Sequence, residues 1–262
     1  DGQTIITARE AMVLEARPES ITIIGAGAIG VEFAYFFNQF GTTVNIVEAL
    51  PHLLPIEDED ISSELERIFK RQKIKQQLST MVESIENTDG GAIVSLSNGK
   101  KIKSEKVMIA VGVRGNIENL GLKENGITVE NGWINTNEFM QTDQPHIYAI
   151  GDVAGPPWLA HIASAEGIVA VEHICDHSPE PVAYDNVPGC TYCQPEIASV
   201  GLTEKAAKTA GYQIKVGKFP FRALGKSMAS GETDGFVKIV IDSEYGEILG
   251  CHMIGAEATN LI

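Results

Sequence analysis

The sequence predicts an α/β fold in which a parallel strand–helix–strand unit is followed by a small antiparallel meander and then by an α+β region. Within residues 20–48 an apolar, β-branched run changes to helical periodicity directly after a glycine-rich turn. Between residues 73 and 105, period-two segments are separated by Asp89-Gly90-Gly91 and Asn98-Gly99, which are strong hairpin signals. From Pro188 onward, short alternating segments surround one helix, as is typical of an antiparallel α+β region.

The first unit contains a glycine-rich turn whose spacing has a physical basis. The strand Ile21–Ile24 runs into Gly25-x-Gly27-x-x-Gly30, and each glycine has its own physical reason. Gly25 lets the chain turn, Gly27 lets the backbone approach a pyrophosphate, and Gly30 lets the helix pack closely on the strand. A diphosphate then binds the free N–H groups at the start of the helix. The motif therefore predicts a Rossmann-type dinucleotide site.

The order of the elements around the glycines makes this prediction specific, because an isolated GxGxxG is weak evidence. A second strand, Val44–Val47, leads to Glu48, which lies 18 residues after Gly30. A carboxylate at that place accepts hydrogen bonds from free ribose hydroxyls and repels a 2′-phosphate. Residues 49–52 contain no arginine for such a phosphate, so the site is expected to prefer NAD over NADP. The buried side of the helix is predicted to contain Phe33, Ala34, Phe36, Phe37 and Phe40.

The remaining elements of the first part follow in order. Residues 1–19 are a lead-in with a short strand and a helical turn that begins at Thr7. The acidic run Glu57–Asp60 is interpreted as the capped and solvated start of a helix, because negative charge in a first turn suits the helix dipole. Further strands are predicted at residues 74–78, 82–87, 92–96, 101–102 and 106–111.

The second half of the sequence contains a different pattern. Residues 126–134 form a strand region, and His146–Ile150 is predicted to be a strand that runs straight into Gly151-Asp152. This would place a carboxylate at the carboxyl end of a sheet, where open α/β sheets bind ligands. A helix is expected at Leu159–Ile174. The last part is predicted to contain strands at 197–200, 214–219, 236–241 and 248–254 and a helix at 204–210.

The composition argues against several classes of protein. A formal net charge of −15 disfavours binding to nucleic acid or to an anionic membrane through a general electrostatic field. No apolar run approaches the about 18 to 20 residues that a membrane-spanning helix needs. No signal peptide is visible either, so a cytoplasmic location is expected.

Cysteine usage is sparse. Cys175, Cys190, Cys193 and Cys251 are too scattered for a secreted disulfide framework. Cys190-x-x-Cys193 has a spacing that can be redox-active or bind a metal. No second cysteine pair completes a zinc site, so these residues are interpreted as ordinary buried or half-buried thiols and no metal site is predicted. The chain starts at Asp1 without a methionine and ends at Leu261-Ile262, in the expected first turns of an apolar helix that has no stop signal, and both features suggest a fragment.

Five segments together resemble the flavin-dependent pyridine nucleotide-disulfide oxidoreductase family, most closely its dihydrolipoamide dehydrogenase branch. They occur in order over nearly the whole chain: ITIIGAGAIGVEF with NIVE, IAVGVRGN at 109–116, IYAIGDVAG at 147–155, LAHIASAEG at 159–167 and QPEIASVGLTE at 194–204. The resemblance implies an NAD-binding domain at residues 1–117, the second part of an FAD-binding domain at 118–185 and an incomplete interface, or dimerisation, domain at 186–262.

The resemblance also implies the role of each residue in an NAD site. The three glycines of the turn would cradle the pyrophosphate, and Glu48 would hold the adenosine ribose. Glu32 would lie toward the nicotinamide amide, although from the sequence alone it could equally be a polar helix residue. The backbone of Val82 would lie near the adenine, and Gly112 would shape the pocket wall.

An FAD site is implied by the same resemblance. Asp152, directly after Gly151, would accept a hydrogen bond from the FAD ribitol, with a plain turn or capping role as the alternative. Leu159, Ala160 and His161 would present their backbone and the helix N-terminus to the flavin pyrimidine edge, where the dipole stabilises negative charge. His161 is not the catalytic base of this family and is interpreted as structural.

The sequence also departs from the family pattern. The redox-active Cys-x-x-x-x-Cys does not occur, the FAD-binding GxGxxG would precede residue 1, and the His-Glu acid-base pair would follow residue 262. The chain is therefore expected to bind NAD but to lack turnover, and no catalytic residue is predicted within it. The parent would be a homodimer that oxidises the dihydrolipoyl group carried on a 2-oxo acid dehydrogenase complex.

Two alternatives stay open at this point. One is another NAD(P)H-dependent disulfide reductase of the same family, such as a mercuric or glutathione-type enzyme, or an NADH oxidase. The other belongs to a different class and is a non-catalytic dinucleotide-binding module.

Overall fold

The computed structural model describes all residues from 1 to 262. It divides them into two units: unit 1 contains residues 1–112 together with 188–262, and unit 2 contains residues 113–187. The implied three-domain division at 1–117, 118–185 and 186–262 stays a prediction.

The first part of unit 1 contains a parallel sheet, a meander and three helices. In chain order the elements are β1 (Ile5–Ile6), α1 (Ala8–Ala11), β2 (Ser20–Ile24), α2 (Ala28–Gln39), β3 (Thr43–Val47), α3 (Glu59–Arg71), β4 (Lys75–Gln77), β5 (Val82–Thr88), β6 (Gly91–Leu96), β7 (Lys101–Ser104) and β8 (Lys106–Ile109). The parallel sheet has the strand order β1-β8-β2-β3-β4, and β5-β6-β7 form the antiparallel meander. β2 lies at the centre of the parallel sheet because its apolar residues can be buried on both faces.

The helix α2 packs on this sheet with a narrower face than predicted. Its buried residues are Gly30, Val31, Ala34 and Phe37. The prediction that Phe36 and Phe40 are buried is wrong, because their side chains are 48% and 62% exposed. At 100° per residue these two positions fall beside the buried stripe, and the rings of Phe36 and Phe40 contact each other, with centroids 4.9 Å apart.

Unit 2 is mostly irregular. It contains the short hairpin β9 (Val129–Glu130) and β10 (Trp133–Ile134), a 3₁₀ helix at Gly151–Ala154, α4 (Ala160–Ile174) and a 3₁₀ helix at Tyr184–Asn186. The prediction of a strand at residues 146–150 is wrong. Tyr148 forms only an isolated antiparallel bridge with Gln141, since no adjacent strand extends that pairing.

The last part of unit 1 is an antiparallel sheet with short helices. Its elements are β11 (Gly189–Thr191), β12 (Glu196–Gly201), α5 (Glu204–Thr209), β13 (Ile214–Pro220), α6 (Gly225–Ser230), β14 (Phe236–Asp242), β15 (Ile248–Gly255) and α7 (Ala258–Leu261). The strand order is β11-β12-β15-β14-β13. Together with the parallel sheet and the meander, this arrangement confirms the predicted fold class. None of the helices combines the length and the apolar composition that a membrane span requires.

Candidate functional site

The carboxyl ends of three neighbouring parallel strands converge at one edge of the first sheet. β2 pairs with β3 on one side and with β8 on the other, all in parallel. Gly25 follows β2, Glu48 follows β3, and Gly112 lies three residues after the end of β8. This edge is where open parallel sheets bind ligands.

The three glycines of the turn have different surroundings. Gly25 has φ of +102°, and a Cβ atom there would lie 2.3 Å from the carbonyl oxygen of Ala110. A Cβ on Gly30 would lie 2.1 Å from the carbonyl oxygen of Gly25, so this residue allows α2 to approach the turn. A Cβ on Gly27 would meet no atom within 4 Å. The open side of the turn is thus at Gly27, where a ligand can come close to the backbone.

The N-terminus of α2 is available for an anion. Gly27 is its N-cap, no side chain caps the helix, and no acidic residue occurs in the first turn. The first N–H groups of a helix have no intrahelical acceptor, and they carry the positive end of the helix dipole. The uncapped helix and the open space beside Gly27 fit the diphosphate of a dinucleotide.

Glu48 organises the turn from the neighbouring strand. Its Oε2 accepts a hydrogen bond from the N–H of Ala26 at 2.7 Å, and its Oε1 accepts one from the N–H of Leu50 at 2.8 Å. An ionised carboxylate has about four acceptor positions, so two remain for hydroxyl donors. Glu48 can therefore hold the glycine turn and accept ribose hydroxyls at the same time.

Leu54 is a contact of the turn that the sequence analysis missed. Its N–H donates to the carbonyl oxygen of Ala26 at 2.8 Å. Leu54 has φ of +48°, a left-handed conformation that is uncommon for leucine, and its side chain is buried. No sequence signal marks a leucine for this conformation.

The other three residues of the predicted NAD site lie in unit 1 as well. Glu32 is half-buried on α2, and its Oε1 accepts a hydrogen bond from the N–H of Tyr192 at 2.8 Å. Val82 is the first residue of β5 and packs against the cluster that contains Val47. Gly112 has φ of +130° and open space on the side where a Cβ would stand. One oxygen of Glu32 is thus engaged with the protein backbone.

The five residues of the predicted FAD site lie in unit 2. Gly151 opens the 3₁₀ helix with φ of +71°, and Asp152 follows it with an exposed side chain. Leu159 is the N-cap residue of α4, no side chain caps that helix, and Ala160 and His161 in its first turn are exposed. A helix N-terminus without a cap and a nearby exposed carboxylate fit a ligand with an electron-rich edge and hydroxyl groups.

A buried carboxylate supports the Gly151 turn, and the sequence analysis assigned it no role. Oε2 of Glu166 accepts from the N–H of Gly151 at 2.6 Å, and Oε1 accepts from the hydroxyl of Tyr184 at 2.8 Å. Burial, together with this bond to Glu166, raises the pKa of Tyr184. Tyr184 therefore stays protonated and donates to Glu166.

The start of α3 is occupied by charged groups of the protein. Asp58 caps the helix by accepting from the N–H of Asp60, and it binds Nζ of Lys238 on β14 at 2.7 Å. The side chains of Asp58 and Lys238 are 2% and 3% exposed. Lys238 also binds Asp60 at 2.8 Å and Glu204 at 2.7 Å. The acidic run does cap α3, but the expectation that it is solvated is wrong at Asp58, because that residue is covered by β14.

The pKa values of this pair reflect two opposing effects. Burial alone would raise the pKa of Asp58, but the ammonium of Lys238 and hydrogen bonds from backbone N–H groups lower it below its usual value. Burial alone would lower the pKa of Lys238, but its bonds to Asp58, Asp60 and Glu204 raise it. Both groups are therefore charged near neutral pH.

The thiols of the Cys-x-x-Cys motif are poor nucleophiles in this environment. Burial raises the pKa of Cys193 to about 12, and burial also raises the pKa of Cys190. Because the thiolate is the reactive form, neither group is activated near neutral pH.

Two family descriptions match the chain. Residues 1–167 match the family described as pyridine nucleotide-disulphide oxidoreductase, and residues 187–262 match its dimerisation domain. The dihydrolipoyl dehydrogenase of Zymomonas mobilis is 44% identical over 268 residues, and that of Bacillus subtilis is 45% identical over 269 residues. Both alignments include 100% of this chain, which spans only 57% and 56% of those relatives.

Solved structures share the fold. LpdA from Mycobacterium tuberculosis has a TM-score of 0.92 at 27% identity, covering 100% of this chain and 57% of that chain. A Cu(II) complex of RclA, an HOCl-induced flavoprotein disulfide reductase from Escherichia coli, has a TM-score of 0.91 at 26% identity, covering 98% of this chain and 59% of that chain.

Proposed function

The chain belongs to the pyridine nucleotide-disulphide oxidoreductase family, and on this premise we propose that it supplies the NAD-binding part of an FAD-dependent enzyme that oxidises dihydrolipoamide. The relatives with 44% and 45% identity over the whole chain are dihydrolipoyl dehydrogenases. Because the chain spans little more than half of their length, the substrate, partners and activity of the whole enzyme are all part of the proposal.

The observation that carries the proposal is the turn between β2 and α2. It combines an uncapped helix N-terminus, open space beside Gly27 and a carboxylate, Glu48, at the end of the adjacent strand. We assign the diphosphate of NAD to Gly25, Gly27 and Gly30 and the adenosine ribose to Glu48. Because Glu48 is negatively charged and residues 49–52 contain no arginine, NAD is preferred over NADP.

The remaining residues of unit 1 have supporting roles in this site. We assign Glu32 to the nicotinamide amide through the oxygen that Tyr192 does not occupy, Val82 to the adenine and Gly112 to the pocket wall. The site supplies orientation and electrostatics for the nucleotide rather than chemistry of its own.

In unit 2 we assign the flavin to Gly151, Asp152, Leu159, Ala160 and His161. When bound, FAD supplies two-electron redox chemistry between a dithiol and NAD. Asp152 would accept a hydrogen bond from the ribitol chain. The N-terminus of α4 would stabilise negative charge on the flavin, and Glu166 would hold the Gly151 turn in place.

The proposal extends to the assembly. A match to the dimerisation domain supports a homodimer, and the relatives support the lipoyl group of a 2-oxo acid dehydrogenase complex as partner. A cytoplasmic location belongs to the same proposal. Residues 1–262 contain no Cys-x-x-x-x-Cys, so this chain alone is expected to bind NAD without turning over dihydrolipoamide.

A second candidate is a flavoprotein disulfide reductase with another substrate. It is favoured by the TM-score of 0.91 to RclA, but the identity there is 26%, against 45% for the dihydrolipoyl dehydrogenase of Bacillus subtilis.

A chimeric enzyme tests the proposed function. The matched segment of the Bacillus subtilis dihydrolipoyl dehydrogenase is replaced by residues 1–262, and flavin absorbance reports whether the chimera assembles. Dihydrolipoamide-dependent formation of NADH that Gly27→Ala slows at subsaturating NAD would support the proposal. A chimera that binds flavin but oxidises dihydrolipoamide no faster than the Gly27→Ala control would contradict it.

A further inference from the structure

Two hydrogen bonds hold the backbone of Ala26 in the dinucleotide turn, one at its N–H group and one at its carbonyl group. The N–H of Ala26 donates to Glu48, and its carbonyl oxygen accepts from the N–H of Leu54. Ala26 is completely buried and lies between Gly25 and Gly27. Since glycines offer little resistance to rotation, these two hydrogen bonds set the direction of the Gly27 N–H group.

Leu54 belongs to a segment, residues 53–58, that is tightly folded on itself. The carbonyl oxygen of Leu54 accepts from the N–H of Glu57 at 2.9 Å and from Oγ of Ser62 at 3.2 Å. Leu53, Leu54 and Asp58 are all buried. A displacement of Asp58 is therefore transmitted to Leu54 through one turn.

Asp58, in turn, is held from the antiparallel sheet. Its Oδ1 binds Lys238, and its Oδ2 accepts from the N–H of Glu204 at 3.1 Å. Lys238 lies on β14 at a position that faces inward, and its ammonium group is surrounded by three carboxylates. Without Lys238, these carboxylates would repel each other, and the buried Asp58 would move toward water.

We propose that Lys238 and Asp58 are positioning residues of the dinucleotide site, because they hold the 53–58 segment that fixes the carbonyl group of Ala26. This inference rests on the proposed binding of NAD to the glycine turn. It makes β14, which is far from the turn in sequence, a determinant of nucleotide affinity.

The test compares Lys238→Met with Lys218→Met in the 262-residue chain. Lys218 also contacts Asp60, at 3.5 Å, but its side chain is 43% exposed, which makes it the matched control. Titration calorimetry with NADH is expected to show about a tenfold loss of affinity for Lys238→Met and no change for Lys218→Met. Hydrogen exchange of the Leu54 amide is expected to become faster in Lys238→Met by more than exchange of the Ile23 amide in β2, which reports global unfolding, and to be unchanged in Lys218→Met.

A double variant tests whether Lys238 acts through Asp58. Asp58→Asn with Lys238→Met removes both charges of the pair and keeps a good helix cap, so its loss of affinity and of amide protection should be no larger than that of Lys238→Met alone. Folded Lys238→Met with wild-type affinity and unchanged Leu54 exchange would overturn the inference, as would additive losses in the double variant.

Two further outcomes are decided by the same measurements. If wild-type protein does not bind NADH, the proposed function fails, and Leu54 exchange in the ligand-free variants still decides the coupling. If Lys238→Met does not fold, Asp58→Asn replaces it, with faster Leu54 exchange supporting the inference and unchanged exchange overturning it.

Discussion

The helices α2 and α3 both follow strands of the same parallel sheet, yet their N-termini are completed in different ways. α2 begins at Gly27 with no side-chain cap and no acid in its first turn. α3 begins at Asp58, whose carboxylate caps the helix, and continues with Glu59 and Asp60. One N-terminus is left open and the other is filled by the protein itself.

The same physical feature, a helix N-terminus, serves two purposes in this chain. The positive end of a helix dipole and its free N–H groups attract negative charge from any source. At α3 that charge comes from Asp58, which ties the helix to Lys238 of β14. At α2 the protein supplies no such charge, and under the proposed function the diphosphate of NAD supplies it.

The largest expected effect is on the filled N-terminus. Removal of one member of a buried ion pair leaves the other uncompensated, so Lys238→Met should lower the free energy of unfolding by about 3–5 kcal/mol. Urea unfolding measures this value, with Lys218→Met as the control. A loss below about 1 kcal/mol would mean that Asp58 finds another partner and that the ends of α2 and α3 differ less than the contacts indicate.

The pH dependence of that loss follows from the two pKa shifts. Because the pKa of Asp58 is lowered in the folded protein, this residue adds stability at pH values above its ordinary pKa of 3.8. That stability is lost as the pH falls through the pKa that Asp58 has in the folded protein. Because the pKa of Lys238 is raised in the folded protein, this residue adds stability at pH values below its ordinary pKa of 10.5. That stability is lost as the pH rises through the pKa that Lys238 has in the folded protein. The effect of Lys238→Met should therefore be constant between about pH 5 and pH 9.

At the open N-terminus, Gly30→Ala should damage the fold. The added methyl group would lie 2.1 Å from the carbonyl oxygen of Gly25, which is part of the backbone and cannot rotate away. Overpacking of this kind should lower the free energy of unfolding by about 2–3 kcal/mol. An unchanged urea midpoint would show that α2 can move away from the turn.

Gly27→Ala, three residues earlier, should instead affect only the ligand. No atom lies within 4 Å of the added Cβ, so the free energy of unfolding should change by about 0.5 kcal/mol or less. The methyl group would stand where the diphosphate approaches, and NADH affinity should fall about 5- to 150-fold. Calorimetry that shows wild-type affinity would place the diphosphate elsewhere.

The smallest expected effect concerns Glu57, which precedes the cap of α3. Burial raises its pKa above the ordinary value of 4.5, despite a hydrogen bond from Ser199 and the nearby imidazole of His252. The folded protein therefore binds this proton more tightly, and the resulting stability is complete below about pH 4.5 and is lost as the pH rises through the folded pKa.

Glu57→Gln should remove this pH dependence. Relative to the variant, the wild-type protein should lose stability as the pH rises from 4.5 to neutral values. Urea unfolding of both proteins across this range measures the difference. Parallel curves would show that burial does not raise the pKa of Glu57 in the folded protein.

Much of unit 1 could be predicted because its local signals agree. A β-branched strand, glycines at fixed spacing and an acid at the end of the next strand all point to the same turn. Lys238 could have been predicted as well, since Phe236, Lys238, Val240 and Asp242 share the buried face of β14. A lysine on the buried face of a strand requires a carboxylate partner.

Other features depend on tertiary contacts that no local pattern specifies. The left-handed Leu54 has no glycine or asparagine to mark it, and its conformation is fixed by the contact with Ala26. Residues 146–150 have strand periodicity but form only the Tyr148 bridge. Glu166 lies in a motif that was recognised, but only the fold places it beneath the Gly151 turn.

The most direct test of the account is a calorimetric titration of the folded 262-residue chain with NADH and, separately, with NADPH. We expect saturable binding of NADH and clearly weaker binding of NADPH, because Glu48 accepts from ribose hydroxyls and repels a 2′-phosphate. No heat of binding with NADH, or tighter binding of NADPH, would contradict the assignment of NAD to the glycine turn.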